Sequence, residues 1–236
     1  MATKSFLHNG IHYNISYKLL NLLEQESILI LHGWAANKEL MENCFKDSFK
    51  KYCHIYVDLP GFGNSSIEKP LDSVEVKSII EKFLDELGKK PKIIIGHSFG
   101  GKIATLLDPQ VLVLLSSAGI VLPKSFSVRF KIGLFKILKG LGFGKLYRFF
   151  ASKDVNSMSQ TMYETFKKVV NEDMSENFKK FKNDAFIFWG KNDTSTPLKA
   201  GALIHNFIDN SKFFVCDGDH FFFLNKADFI EKNIYI

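Results

Sequence analysis

Three short stretches of the chain hold side chains that could do chemistry together. Ser98 sits in "GHSFGG", directly after the apolar run "KIII". Asp193, in "FIFWGKNDTSTP", and His220, in "KFFVCDGDHFFF", each follow another such run. A serine becomes a nucleophile only when a base takes its proton, and the base needs an acid to orient it. A Gly-x-Ser-x-Gly string says little by itself, because about one chain in ten of this length and composition would hold one by accident. The surroundings carry the weight: an apolar run enters the string and the helix-compatible "GKIATLL" leaves it. Gly96 and Gly100 then have a reason. A strand-to-helix turn this sharp leaves no room for Cβ atoms beside a strained serine, and it lifts the Ser98 hydroxyl above the sheet at the N–H end of the helix.

Of the seven histidines, His220 is the only good base. His8 and His12 precede the sheet core, His54 begins a strand and His205 falls in a helix. Each of these reads as an ordinary surface or packing residue. His97 precedes the serine and should point away from its Oγ. Asp217 and Asp219 flank the base too closely to orient its ring, so they are assigned to shaping its loop, and "SSAG" offers Ser116 and Ser117 but no acid. A tetrahedral oxyanion needs two donors. One is the backbone N–H of Phe99; the other is the backbone N–H of Trp34 in "LILHGWAAN", where Gly33 permits the turn and His32 either braces the loop or is a plain loop residue. The implied reaction is acyl transfer to water through an acyl-serine, with no metal or organic cofactor.

The elements that must position these residues follow from hydrophobic patterning. Ile11, Tyr13, Ile15 and Tyr17 alternate with polar residues, as in a half-exposed antiparallel strand. After them come "SILILHG", "CHIYVDLPG", "KIIIGHS", "VLVLLSSAG", "AFIFWGKND" and "KFFVCDGDH". Runs without alternation belong to strands buried on both faces, as in a parallel sheet covered by helices. Residues 73–87 carry Val76, Ile79, Ile80, Phe83, Leu84 and Leu87 at helical spacing. Strands alternating with helices predict a doubly wound α/β sheet, whose function gathers at the carboxyl ends of its strands.

The interval 122–183 breaks the rhythm. It has no buried strand-like run and instead shows helical spacing at Phe130, Leu134, Ile137, Leu138 and Leu141, and again in "SQTMYETFKKVV". It is expected to form a helical cap inserted into a core of residues 1–121 and 184–236.

Composition narrows the function classes. The chain has 236 residues, 46% of them hydrophobic and 24% charged, with a net charge of +6. Residues 121–183 hold 13 Lys and Arg against 5 Asp and Glu, a surplus of +8 that leaves the remainder at −2. Basicity confined to one segment, with no recognised binding motif, does not suggest a nucleic-acid partner. "FSVRFKIGLFKILKGLGFGKLYRFF", basic and apolar with no acid, admits a membrane-surface contact or an anionic substrate, but a solvated basic face on a packed cap is the favoured reading. The N-terminus lacks the apolar core of a signal peptide and no run is long enough to span a bilayer. The three cysteines, Cys44, Cys53 and Cys216, follow no zinc spacing. A cytoplasmic monomer or homodimer is expected.

Taken together and in order, "LHGW", "DLPGFGNS", "GHSFGG", "WGKNDTSTP" and "GDHFFF" resemble the α/β-hydrolase superfamily, in particular its small carboxylesterase and C–C bond hydrolase branch with a helical cap. The resemblance covers residues 27–115 and 185–230. It implies a Ser98, Asp193, His220 triad, in the chain order typical of that superfamily, with the Phe99 and Trp34 amides as the oxyanion hole. One departure is the ten residues "GKIATLLDPQ" between the serine turn and the next strand, where relatives have a longer helix and loop; Asp108-Pro109 should end this helix.

Substrate contacts are expected from Trp34, Phe99, Phe62 and Phe221, and from the cap residues Phe126, Phe130, Phe149, Phe150 and Met162, for each of which ordinary helix packing competes. The preferred reading is a carboxylesterase acting on small or medium apolar esters. The same residues could also serve acyl transfer to another acceptor, C–C bond hydrolysis, or a ligand receptor with slow turnover.

Overall fold

A computed structural model describes residues 2–122 and 158–234. Its centre is an eight-stranded sheet in the order β1-β2-β4-β3-β5-β6-β7-β8. The strands are β1 (Ala2–His8), β2 (Ile11–Leu20), β3 (Ser27–Leu31), β4 (Cys53–Val57), β5 (Ile93–His97), β6 (Val111–Leu115), β7 (Asp184–Gly190) and β8 (Ser211–Cys216). β1 and β2 form an antiparallel hairpin, and β2 joins β4 antiparallel with Tyr17 opposite Val57. From β4 to β8 every pairing is parallel. The continuous apolar runs are the reason: β3, β4, β5 and β6 are buried at every residue, as strands covered on both faces must be. The expected doubly wound, mostly parallel sheet is what the chain forms.

Helices cover both faces: α1 (Lys38–Phe45), α2 (Ser73–Glu86), α3 (Phe99–Leu106), α4 (Gln160–Val169), α5 (Ser175–Lys180), α6 (Leu198–Phe207) and α7 (Ala227–Asn233) among the described residues. α2 shows how locally the sequence sets an element. Asp72 accepts a hydrogen bond from the Glu75 N–H at 2.8 Å, and Glu75 reaches back to the Asp72 N–H at 2.9 Å. This capping box starts the helix, and a cap of this kind is worth about 1 kcal/mol. Its Val76, Ile79, Ile80, Phe83 and Leu84 stripe is buried. α3 is only eight residues long and is buried through Thr105, in keeping with the short interval read from the sequence.

Because the six strands from β4 to β8 run parallel, the loops after β3, β5, β6, β7 and β8 leave the sheet at one edge, and that edge brings together residues far apart in sequence. Among the described residues no strand lies between β6 and β7, and α4 and α5 fall in that interval. Phe126, Phe130, Phe149 and Phe150 lie outside the described residues.

Candidate active site

The turn between β5 and α3 has the shape that its glycines suggested. Ser98 is held at φ 50° and ψ −113°, a left-handed conformation that costs a non-glycine residue roughly 1–3 kcal/mol. Its backbone is nonetheless fully engaged: its N–H donates to the Leu115 carbonyl at 3.1 Å, and its carbonyl accepts from Gly101 and Ala118, each at 3.0 Å. A Cβ on Gly96 would stand 2.6 Å from the Cα of Gly101, and one on Gly100 would stand 2.5 Å from the His32 carbonyl oxygen. Both are backbone collisions. Only glycine permits α3 to fold back this tightly against β3 and β5.

At the end of β7, Asp193 meets His220 from the loop after β8. His220 Nδ1–H donates to Asp193 Oδ2 at 2.8 Å, and the Asp193 carboxylate is fully buried. With its proton on Nδ1, the ring keeps Nε2 as the basic nitrogen. Three further donors hold the carboxylate: the N–H groups of Ser195 and Thr196 reach Oδ1 at 2.8 and 2.9 Å, and the Thr196 hydroxyl reaches Oδ2 at 2.8 Å. Burial pushes this carboxyl up, but His220 and the Thr196 donors outweigh burial and hold its pKa at about 2. Asp193 is therefore an anion at any working pH. Thr196 was not singled out from the sequence, although it stands in the quoted "NDTSTP".

His97 does not simply turn away from the site. It is buried, its Nε2–H donates to the His220 carbonyl at 3.1 Å, and its ring centroid lies 4.7 Å from that of His220. Burial, reinforced by the neighbouring His220, lowers its pKa to about 3, so it is neutral. Asp219, expected to shape the loop, accepts from the Phe221 N–H at 2.8 Å.

The loop after β3 runs beside the serine. A Cβ on Gly33 would lie 2.7 Å from His97 Nδ1 and 3.0 Å from Ser98 Cβ, so this glycine allows the close approach. His32 braces the loop: its Nδ1–H donates to the Gly33 carbonyl at 2.7 Å and its Nε2 accepts from the Leu59 N–H at 3.0 Å. Burial lowers its pKa to about 4, which keeps Nε2 free to accept. Behind the loop, Asp58 at the end of β4 takes the Lys38 ammonium at 2.7 Å and the N–H groups of Lys38 and Asn64 at 2.8 and 3.0 Å. The Trp34 N–H makes no hydrogen bond with other described residues, and the Phe99 N–H, first in α3, has no intrahelical acceptor.

A cavity of about 350 Å³ opens at Ser98, with Trp34, Phe99, Leu122, Phe166 and Val169 in its apolar wall. The Trp34 ring packs against Phe62, Phe99 and Phe166 at 4.9, 5.6 and 5.2 Å. Phe62 and Met162 line a second cavity of about 380 Å³, which shares Trp34 as a wall. Phe221 lines neither cavity: it packs on His97 and His220 and is 41% exposed. The structure thus brings Trp34 and Phe99 to the serine, packs Phe62 on Trp34, and leaves Phe221 against His97 and His220. Among the described residues, no three His, Cys, Asp or Glu side chains gather as metal ligands would.

Comparison with known proteins agrees with this architecture. The family described as "alpha/beta hydrolase fold" matches residues 26–107, from β3 through α3. The chain is 32% identical over 88 residues to the pimeloyl-[acyl-carrier protein] methyl ester esterase of Pseudoalteromonas atlantica, covering 35% of this chain and 33% of that one. It is 26% identical over 238 residues to the monoacylglycerol lipase ABHD6 of Mus musculus, covering 79% and 67%. The pimeloyl esterases of Pseudoalteromonas and Shewanella woodyi are thus matched over about a third of their length. Among solved structures, an esterase from Exiguobacterium antarcticum superposes with a TM-score of 0.72 at 23% identity, over 93% of this chain and 94% of that one. A bromoperoxidase from Bacillus anthracis gives 0.72 at 20% identity, over 98% and 97%. The chain has the α/β-hydrolase fold.

Proposed function

We propose that this α/β-hydrolase-fold chain is a serine carboxylesterase, with Ser98 as nucleophile, His220 as general base and Asp193 as the acid that orients it. The observation that carries the reading is the 2.8 Å bond between His220 Nδ1 and a fully buried Asp193 carboxylate, at the same sheet edge as the strained Ser98 turn. In this reading His220 Nε2 takes the Ser98 proton as Oγ attacks the ester carbonyl, and Asp193 stabilises the imidazolium that forms. The N–H groups of Phe99 and Trp34 hold the oxyanion, each contributing about 3 kcal/mol to the transition state. The imidazolium returns its proton to the leaving alcohol, and water then cleaves the acyl-serine by the same route in reverse.

The cavity at Ser98 supports a small or medium apolar ester as substrate, with Trp34 and Phe99 against it and Phe62 backing Trp34. Residues 122–183 act in this reading as a cap over the sheet edge. Their described part contributes Phe166 and Val169 to the cavity wall.

The test is labelling with a fluorophosphonate probe beside hydrolysis of a p-nitrophenyl ester series, comparing the wild type with Ser98→Ala. The wild type should be labelled and active, and the variant should lose labelling and on the order of 10⁶-fold in turnover. Labelling that persists in the variant removes Ser98 as the nucleophile.

A further inference from the structure

The cavity at Ser98 is apolar along its wall but ends in an ion pair that the esterase mechanism does not use. Lys102 lies four residues after Ser98 on α3, hence on the same helix face one turn on. Its side chain is 2% exposed, and its ammonium donates to Glu172 Oε2 at 2.7 Å and to the Val169 carbonyl at 2.8 Å. Glu172 follows α4 and also receives the Ser73 hydroxyl on Oε2 and the Ser73 N–H on Oε1 at 3.1 Å. Lys102 and Glu172 both line the cavity that Ser98 opens into. Burial lowers the Lys102 pKa and pushes Glu172 up, but Lys102 and Ser73 outweigh burial at Glu172 and hold it below its ordinary value. The two side chains stand as a salt bridge, with Nζ and Oε2 2.7 Å apart.

Lys102 is buried and Glu172 is 24% exposed, and an ion pair so largely withdrawn from water is a poor source of stability, since well-packed apolar residues of similar volume often do as well or better. Its placement in a substrate cavity needs another reason, and its hydrogen-bond inventory supplies one. An ammonium has three donors, and two are taken among the described residues; a carboxylate has about four acceptor positions, and three are taken. Among the described residues one donor remains on the Lys102 ammonium and one acceptor position on Glu172 Oε1, on side chains bonded to each other at 2.7 Å. That is the complement of a hydroxyl, which accepts from the one and donates to the other. The pair is neutral as a unit, so a carboxylate would bring a second anion against Glu172.

Resting on the esterase reading, we propose that Lys102 and Glu172 select esters whose cavity-bound chain carries a hydroxyl group. The Lys102 ammonium is withdrawn from water, with its side chain 2% exposed, so a substrate that lacks a group to accept from its remaining donor is penalised, and an all-alkyl chain is the one discriminated against.

The experiment measures kcat/KM for p-nitrophenyl esters of hexanoic, 6-hydroxyhexanoic and adipic acids and their eight-carbon counterparts. A second arm compares hexyl with 6-hydroxyhexyl butanoate and distinguishes a hydroxyl in the acyl part from one in the alcohol part. In one arm the hydroxy ester should exceed its alkyl match by about tenfold, with the half-acid ester slowest in the acyl arm. In the double variant Lys102→Met/Glu172→Gln, which leaves no unpaired buried charge, the hydroxy-to-alkyl ratio should fall to about one. Equal rates in both arms of the wild type, a preference for the half-acid ester, or a preference that survives in the double variant overturns the proposal. The wild-type series decides even where the double variant does not fold. Hydrolysis of none of the esters, with no fluorophosphonate labelling, removes the esterase reading and this selectivity with it; labelled, active protein without a hydroxyl preference removes this selectivity alone.

Discussion

His97 Nε2–H donates to the backbone carbonyl of His220, so the residue before the serine carries the loop that holds the base. The two are 123 positions apart, and their rings pack with centroids 4.7 Å apart. His97→Leu keeps much of the ring's apolar packing but leaves the His220 carbonyl without its donor. The expected result is a loss of about 1–3 kcal/mol in stability, with kcat falling by about tenfold and KM little changed, because the base is displaced and the cavity is not. Urea unfolding and steady-state ester hydrolysis measure the two effects. His97→Gln, which restores an N–H donor, should recover part of kcat; a Leu variant with wild-type kcat removes the link between His97 and the base.

Thr196 bonds Asp193 through both its N–H and its hydroxyl, and the same hydroxyl lies 3.3 Å from His220 Nδ1. Thr196→Val has nearly the same shape but no hydroxyl. It should lower kcat/KM by roughly tenfold, since one charge-assisted hydrogen bond of about 1.5–3 kcal/mol is lost from the carboxylate that orients the base. Thr196→Ser should return most of the activity. Equal activity of the Val variant and the wild type would mean that the backbone donors alone hold Asp193.

The parts of this protein that were legible in its sequence share a physical cause. β3, β5, β6 and β7 are covered on both faces, so they read as unbroken apolar runs, and Ser98 and Asp193 announce themselves as polar residues at or just beyond the ends of such runs; His220 follows β8, whose apolar run suggested the same burial, but β8 is the last strand of the sheet and only Cys216 in it is buried. α2 was legible because one face is apolar over four turns. β1 was missed: its residues are mostly exposed edge positions, although Asn9 and Gly10, at φ 50° and 77°, mark the hairpin turn with the Asn-Gly signal. α5, at six residues, is too short to show a helical period. Phe221 was expected at the substrate; the turn that Asp219 caps, leading into a 3-10 helix at Phe222, packs it on His97 and His220 with 41% of it exposed. The contacts of Lys102 with Glu172 and of His97 with His220 join residues 70 and 123 positions apart, and no local pattern encodes them.

Acid should destabilise the fold well above the range where carboxylates titrate. His32 and His97 are buried and neutral, with pKa values lowered to about 4 and about 3, whereas an unfolded histidine titrates near 6.5. Between those values the unfolded chain binds protons that the folded chain refuses, so stability rises with pH and falls as pH drops. Each histidine contributes a slope of about 1.4 kcal/mol per pH unit within its window, which opens below about pH 6.5. Protonating His32 also turns Nε2 from an acceptor into a donor facing the Leu59 N–H, which breaks the brace of the Gly33–Trp34 loop. Asp193 acts in the same direction but lower: its pKa of about 2 supplies stability above the ordinary carboxylate value that is lost only as pH falls from about 4 toward 2. Urea midpoints measured from pH 7.5 to 5 should therefore fall steadily below about pH 6.5, while the ring resonances of His32 and His97 stay in their neutral positions. A midpoint that is flat from pH 7 to 5, or rings that titrate near 6.5 in the folded protein, would show that these two histidines are not held neutral by burial.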